Sequence, residues 1–251
     1  MNDPCPRSRA NATQATLTAM AAEARESPAA APRRPHVTLH FAQTLDGRIA
    51  TRDGSSRWIS GPLATRFAHE LRAASDAVLI GSGTAIADDP LLTVRLVEGR
   101  QPLRVVLDAR ARLSAGSKLI ADASAPTIHA TCSAERSAAA PHVEAWCLPP
   151  APGGVGVDLD ALLARLGARG VGRVLVEGGS AMITSFLRHN FVDRIIVTVA
   201  PMILGKGTDA VGDLGIERLD RALRFDPVRV FSLGDDVLIE LARRPTAEPS
   251  A

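Results

Sequence analysis

Val174-Leu175-Val176-Glu177-Gly178-Gly179-Ser180 sets an acid and two glycines directly after three branched apolar residues. The apolar run reads as a buried strand, the glycines as a sharp turn, and residues 181–189 as the helix that follows. A helix start leaves backbone N–H groups free and carries the positive end of the helix dipole. Such a turn can receive an anion, for example the pyrophosphate of a dinucleotide. Ala77-Val78-Leu79-Ile80, then Gly81-Ser82-Gly83-Thr84, then residues 85–88 repeat the order of strand, glycine turn and helix. This second turn does not complete the dinucleotide fingerprint G-x-G-x-x-G/A, because residue 86 is isoleucine, and glycine turns also occur where nothing binds. Two such turns can nevertheless share one extended anionic ligand. Asp88-Asp89-Pro90-Leu91-Leu92-Thr93-Val94-Arg95 reads either as a solvated turn or as a segment whose Arg95 grips a phosphate through a charge-assisted fork. His40 lies in a strand that can point it into a cleft; a structural histidine is the alternative.

Other chemistries lack their partners. His142-Val143-Glu144 matches the H-x-E half of a zinc deaminase signature, but no P-C-x-x-C follows, and alternation there reads as an edge strand. No metal site is expected. The sequence contains no G-x-S-x-G nucleophile elbow, no H-E-x-x-H and no phosphate loop ending in Gly-Lys-Ser/Thr. Cys5, Cys132 and Cys147 are an odd count without framework spacing, which argues against a disulfide-stapled secreted domain. A net charge of +2, two tryptophans and no tyrosine argue against a nucleic-acid partner. No apolar run approaches the roughly 20 residues of a membrane helix, and the N-terminus lacks a signal-peptide core. A cytoplasmic, soluble protein with a small-molecule partner is expected.

These residues need strands to present them. Residues 1–35, rich in Ala, Pro, Arg and Ser, are expected to be a disordered tail, with an N-terminal helix packed on a partner as the alternative. The folded domain should span residues 36–244, followed by a frayed end at 245–251. Val37-Thr38-Leu39-His40-Phe41-Ala42 alternates as a strand, and Leu45-Asp46-Gly47-Arg48 turns the chain into a short return at Ile49-Ala50-Thr51. A polar loop closed by Trp58 precedes a helix marked by Pro62, Leu63, Phe67 and Leu71. Further strands are expected at 103–107, 127–130, 143–146 and 194–199, with an amphipathic helix at 159–169 capped by Asp158. Gly205-Lys206-Gly207 reads as a loop. A C-terminal antiparallel hairpin pairs residues 228–231 with 237–241. Strands alternating with helices, then a hairpin, point to one α/β domain with a mixed, mostly parallel sheet flanked by helices.

Taken together, Leu45-Asp46-Gly47-Arg48-Ile49-Ala50, Ser56-Arg57-Trp58-Ile59-Ser60-Gly61, residues 75–84, residues 88–95 and Val176-Glu177-Gly178-Gly179 resemble, in order and spacing, the reductase domain of the riboflavin biosynthesis protein RibD family. The likeness runs from about Val37 to Arg243 and implies a dihydrofolate-reductase-like fold. It also implies NADPH as cofactor and reduction of the ribosyl group of 5-amino-6-(5-phosphoribosylamino)uracil, or a related pyrimidine or pterin, to the ribityl form. A non-catalytic nucleotide-binding module is the alternative. By position, the resemblance assigns substrate contacts to His40, Ser56, Arg72, Leu92, Arg95 and Glu177, with Glu177 as the catalytic residue and the arginines suited to the sugar phosphate. It assigns cofactor contacts to Ala42, Trp58, Thr84, Asp88, Gly179, Ser180, Ala181, Met182 and Ile183, with Arg110 as the candidate for the adenosine 2′-phosphate. The family usually has lysine where this chain has His40, which removes that cation or makes the contact pH-dependent. The family's zinc deaminase domain finds no room in residues 1–35, so a stand-alone reductase, and a homodimer, are expected.

Overall fold

The protein is described by a computed structural model covering residues 14–26, 34–57, 59–133 and 140–244. Its apolar runs assemble into a nine-stranded sheet in the order β10-β11-β8-β1-β7-β3-β4-β5-β6. The central strands are β1 (His36–Thr44), β3 (Ala77–Gly81), β4 (Leu103–Leu107), β5 (Thr127–Thr131), β7 (Arg173–Val176) and β8 (Arg194–Ala200), with β6 (Val143–Cys147) at one edge. All seven run parallel. Parallel strands are covered on both faces, which is why β3 and β7 read as unbroken apolar runs rather than alternating ones. The other edge is the hairpin of β10 (Phe225–Leu233) and β11 (Asp236–Arg243), which joins β8 antiparallel. The hairpin is longer than its apolar residues alone suggest, because its outer strand tolerates polar side chains.

Helices cover the two faces. On one, α5 (Leu159–Ala168) and α6 (Ser180–Arg188) bury Leu162, Leu166, Ile183 and Phe186 against Val37, Leu39, Leu79 and Val176. Asp158 caps α5 as expected, accepting from the backbone N–H groups of Asp160 (2.9 Å) and Ala161 (3.1 Å). On the opposite face, α2 (Pro62–Ala74) buries Phe67 and Leu71 against Val78, Ile80 and Ile196, beside α3 (Ser82–Asp88) and a short α4 (Lys118–Ala121).

Two expectations need correction. The supposed disordered tail contains α1 (Gln14–Glu26), whose Leu17 and Met20 are fully buried in the α2-side core, and whose Glu23 pairs with Arg229 on β10. Two large apolar residues suffice here because the alanine at position 21 lets the helix sit close to the domain, so its partner is intramolecular. Gly205-Lys206-Gly207 is not only a loop: β9 (Gly207–Asp209) begins in it and pairs antiparallel with β2 (Arg48–Thr51), forming a ribbon apart from the main sheet. The end at 245–251 lies outside the described residues.

Candidate active site

The two glycine turns meet at the carboxyl ends of adjacent parallel strands, where open α/β sheets form their ligand crevices. Leu79 on β3 lies beside Val176 on β7, and the Glu177 N–H donates to the Leu79 carbonyl (3.0 Å). From there the turns are tied together: the Gly179 N–H donates to the Thr84 hydroxyl (3.1 Å). Met182, in the first turn of α6, packs back on both. A methyl group added at Gly178 would fall 2.5 Å from Met182 Cβ, and one at Gly81 would fall 3.0 Å from Met182 Cε. Gly178 is therefore a requirement of close approach. Gly179 caps α6 without any side-chain hydrogen bond, so the Ser180 and Ala181 N–H groups face no internal acceptor among the described residues. Of the expected contacts on this helix, Ile183 has its side chain fully in the core and can offer only backbone.

Across the strand end the site is made of charged side chains. Arg72, on α2, donates from Nε to Glu177 Oε1 (2.8 Å) and from Nη2 to Oε2 (2.6 Å), a bidentate pair largely withdrawn from solvent. Its remaining nitrogen reaches the Thr93 carbonyl at 3.3 Å. Burial alone would raise the Glu177 pKa, but the Arg72 guanidinium outweighs it and holds the carboxyl below its usual range. Glu177 is thus a carboxylate. Arg95 donates from Nη1 to the Thr93 hydroxyl (3.0 Å), while its backbone N–H donates to His69 Nδ1 (2.9 Å). Burial, with Arg72 and Arg95 nearby, pushes His69 down to about 4, so it is neutral and acts as an acceptor.

His40 joins the same group. It is buried edge-on to Phe67, with ring centroids 6.3 Å apart, and burial lowers its pKa, Glu177 opposing and Arg72 adding to the effect. Its Nε2 is buried without a hydrogen-bond partner among the described residues. Leu92 has φ of 53° with its side chain in the core, an uncommon conformation for a bulky residue, so its backbone is the part open to a ligand. Ala42 and Ser56 line a cavity of about 450 Å³ with Ile49, Arg57, Ile59 and Thr65. Trp58 lies outside the described residues.

Two expected cofactor residues are exposed, Asp88 within electrostatic reach of Arg57 on the cavity wall. Asp88 ends α3, and Arg110 follows β4 with no ion pair among the described residues. Arg112 is the arginine held toward the glycine turn: its Nη2 donates to the Ser82 hydroxyl (2.7 Å), and its Nε lies 3.9 Å from Asp108 Oδ1. Asp108 is fully buried, accepts from the Leu113 N–H (2.9 Å) and faces His129 Nε2 at 3.2 Å. Sequence reading missed Arg112 and His69; the only signal was Asp108, an acid ending a strand beside the glycine turn. Elsewhere, Glu144 accepts from Trp146 Nε1 (2.7 Å) and pairs with Arg169, on the edge strand anticipated for it.

The RibD C-terminal domain family matches residues 35–239. The chain belongs to this family. Riboflavin biosynthesis protein RibD of Aquifex aeolicus is 39% identical over 214 residues, covering 84% of this chain and 58% of the relative. The 2,5-diamino-6-ribosylamino-4(3H)-pyrimidinone 5′-phosphate reductase of Methanothermobacter thermautotrophicus is also 39% identical, over 213 residues, covering 82% of this chain and 97% of the relative. A solved deaminase/reductase from Thermotoga maritima superposes with a TM-score of 0.72 at 35% identity, covering 84% of this chain and 57% of that one. The chain thus spans little more than half the length of the Aquifex and Thermotoga relatives, and nearly all of the Methanothermobacter one. The mostly parallel sheet with its antiparallel terminal hairpin is the RibD reductase, dihydrofolate-reductase-like fold.

Proposed function

We propose that this chain is an NADPH-dependent reductase of a phosphoribosylated aminopyrimidine, converting the ribosyl group of 5-amino-6-(5-phosphoribosylamino)uracil, or a close relative, to its ribityl form. The observation carrying this reading is the junction itself: a tied pair of glycine turns with an uncapped helix start adjoins a buried Arg72–Glu177 pair. The residues fit a nicotinamide dinucleotide. Gly178 keeps the turn free of a side chain that would strike Met182, and the Ser180 and Ala181 N–H groups suit a pyrophosphate. Thr84, Ala42 and residues 179–183 would hold the cofactor, which when bound supplies the hydride.

The chain's own groups then bind and orient. Glu177, kept ionised, accepts hydrogen bonds from ring N–H donors rather than delivering a proton. Arg72 is occupied by Glu177, so Arg95 and Ser56 are the freer partners for a sugar phosphate. His40, kept neutral, offers one donor and one acceptor where a lysine would place a fixed charge. Arg112 is better placed than Arg110 for the 2′-phosphate, because a guanidinium already oriented by Asp108 and Ser82 loses less freedom on binding. The proposal extends to a cytoplasmic homodimer, for which the exposed Val228 and Val230 on edge strand β10 offer an apolar surface.

Loss of reduced-nicotinamide absorbance on mixing the protein, NADPH and the phosphoribosylaminopyrimidine tests the reading. Turnover is expected. NADPH binding without turnover across pyrimidines and pterins would leave a nucleotide-binding module instead.

A further inference from the structure

The β2–β9 ribbon carries a second concave surface that none of the assigned contacts uses. A cavity of about 360 Å³ there is lined by Arg48, Arg52, Lys206 and Gly207. Arg48 opens β2, Arg52 follows its last residue, and Lys206 precedes the first residue of β9. Thr51 and Gly207 form the end rung of the ribbon, so Arg52 and Lys206 stand on opposite strands just beyond it. Like charges in that relation repel. The backbones are also close: a methyl group on Gly207 would fall 2.2 Å from the Ala50 carbonyl oxygen.

Of the three cations, nearby acids among the described residues engage only Arg48. Asp46 accepts from the Thr44 hydroxyl (2.6 Å) and from the Leu204 (3.2 Å) and Gly205 (2.7 Å) N–H groups, which lowers its pKa to about 2 and fixes the loop that carries Lys206. Asp53 is engaged by the Thr51 hydroxyl. Asp209 pairs with Arg48, while Arg52 and Lys206 have no acidic partner among the described residues. Arg48 Nε is buried and has no hydrogen-bond partner among the described residues.

We infer that this cluster binds the phosphate group of a small molecule, at a site distinct from the glycine turns. Arg52 supplies a forked donor, Lys206 a mobile charge, and Arg48, whose Nη1 is held by Asp209, the Nε left over, a combination that suits a phosphate dianion. Ile49, next to Arg48, lines the larger cavity of the cleft, so β2 is a wall common to both. The phosphate can therefore belong to the reductase's own substrate, reaching over β2, or to a separate phosphorylated small molecule.

Calorimetric titration of the full chain with inorganic pyrophosphate, with and without saturating NADPH, tests this. Binding is expected in both conditions, and with NADPH occupying the glycine turns the double substitution Arg52→Ala/Lys206→Ala should weaken it about tenfold or more without changing the melting temperature, since both side chains are exposed. Equal binding by the double variant, or loss of binding when NADPH is added, overturns the inference. A raised KM for the phosphorylated substrate, but not for its dephosphorylated form, assigns the site to the substrate. Unchanged KM with lost pyrophosphate binding assigns it to a separate ligand. Because the titration needs no turnover, a failed reductase assay would leave its result standing.

Discussion

Residues 178–181 present backbone N–H groups on a turn shaped by glycine; Glu177, just before them in the chain, stands among ionised and neutral side chains held in a buried network. The first surface depends on space and the second on pairing, so they should fail differently. A substitution on the backbone side should loosen the cofactor. One on the side-chain side should spoil the reaction, the folded state, or both.

The most damaging change to stability should be Arg72→Met, which leaves Glu177 buried without its counter-charge. Breaking such a pair costs about 3–5 kcal/mol, and urea unfolding should show a midpoint lowered accordingly. An unchanged midpoint would mean that the pair is dispensable to the fold. Gly178→Ala should cost about 1–3 kcal/mol through overpacking on Met182 and should weaken NADPH binding, measured by nicotinamide fluorescence, more than it alters the chemical step. Arg112→Ala should raise the KM for NADPH about tenfold with NADH little changed, on the scale of one charge-assisted hydrogen bond, whereas Arg110→Ala should do much less. The reverse order would return the 2′-phosphate to Arg110.

A further effect concerns pH. His69 is depressed to about 4 and His40 is lowered as well, so below the ordinary histidine value of about 6.5 the unfolded chain takes up protons that the folded chain refuses. Stability should then fall as pH drops from about 6.5 toward 4. Glu177, also lowered, contributes in the same direction at the acid end. Urea midpoints at pH 7 and pH 5 should show the decline, and His69→Asn should shallow it.

The same contrast explains what the sequence made legible. The glycine turns are local: acid, glycines and helix stand in consecutive residues, and their positions followed from strand and helix patterns alone. Arg72 and Glu177 are 105 residues apart, so their types could be flagged singly but not their pairing, and the guanidinium assigned to phosphate proved to be engaged by the carboxylate. Arg112 escaped notice because its orientation comes from Ser82 and a buried Asp108, on two different strand ends. Helix α1 stood only as the alternative to a disordered tail because burial of Leu17 and Met20 depends on a groove built by α2 and the distant hairpin, which residues 14–26 do not reveal by themselves.

Glu177, where backbone side and side-chain side meet, gives the most direct test. In Glu177→Gln, kcat for the phosphoribosylaminopyrimidine and the dissociation constant for NADPH should be measured together. With Glu177 as a substrate contact, kcat should fall on the order of 100-fold while NADPH affinity stays within about threefold, a change of less than 1 kcal/mol. Equal loss of both would contradict that role and make Glu177 a support of the turn rather than a contact of the substrate.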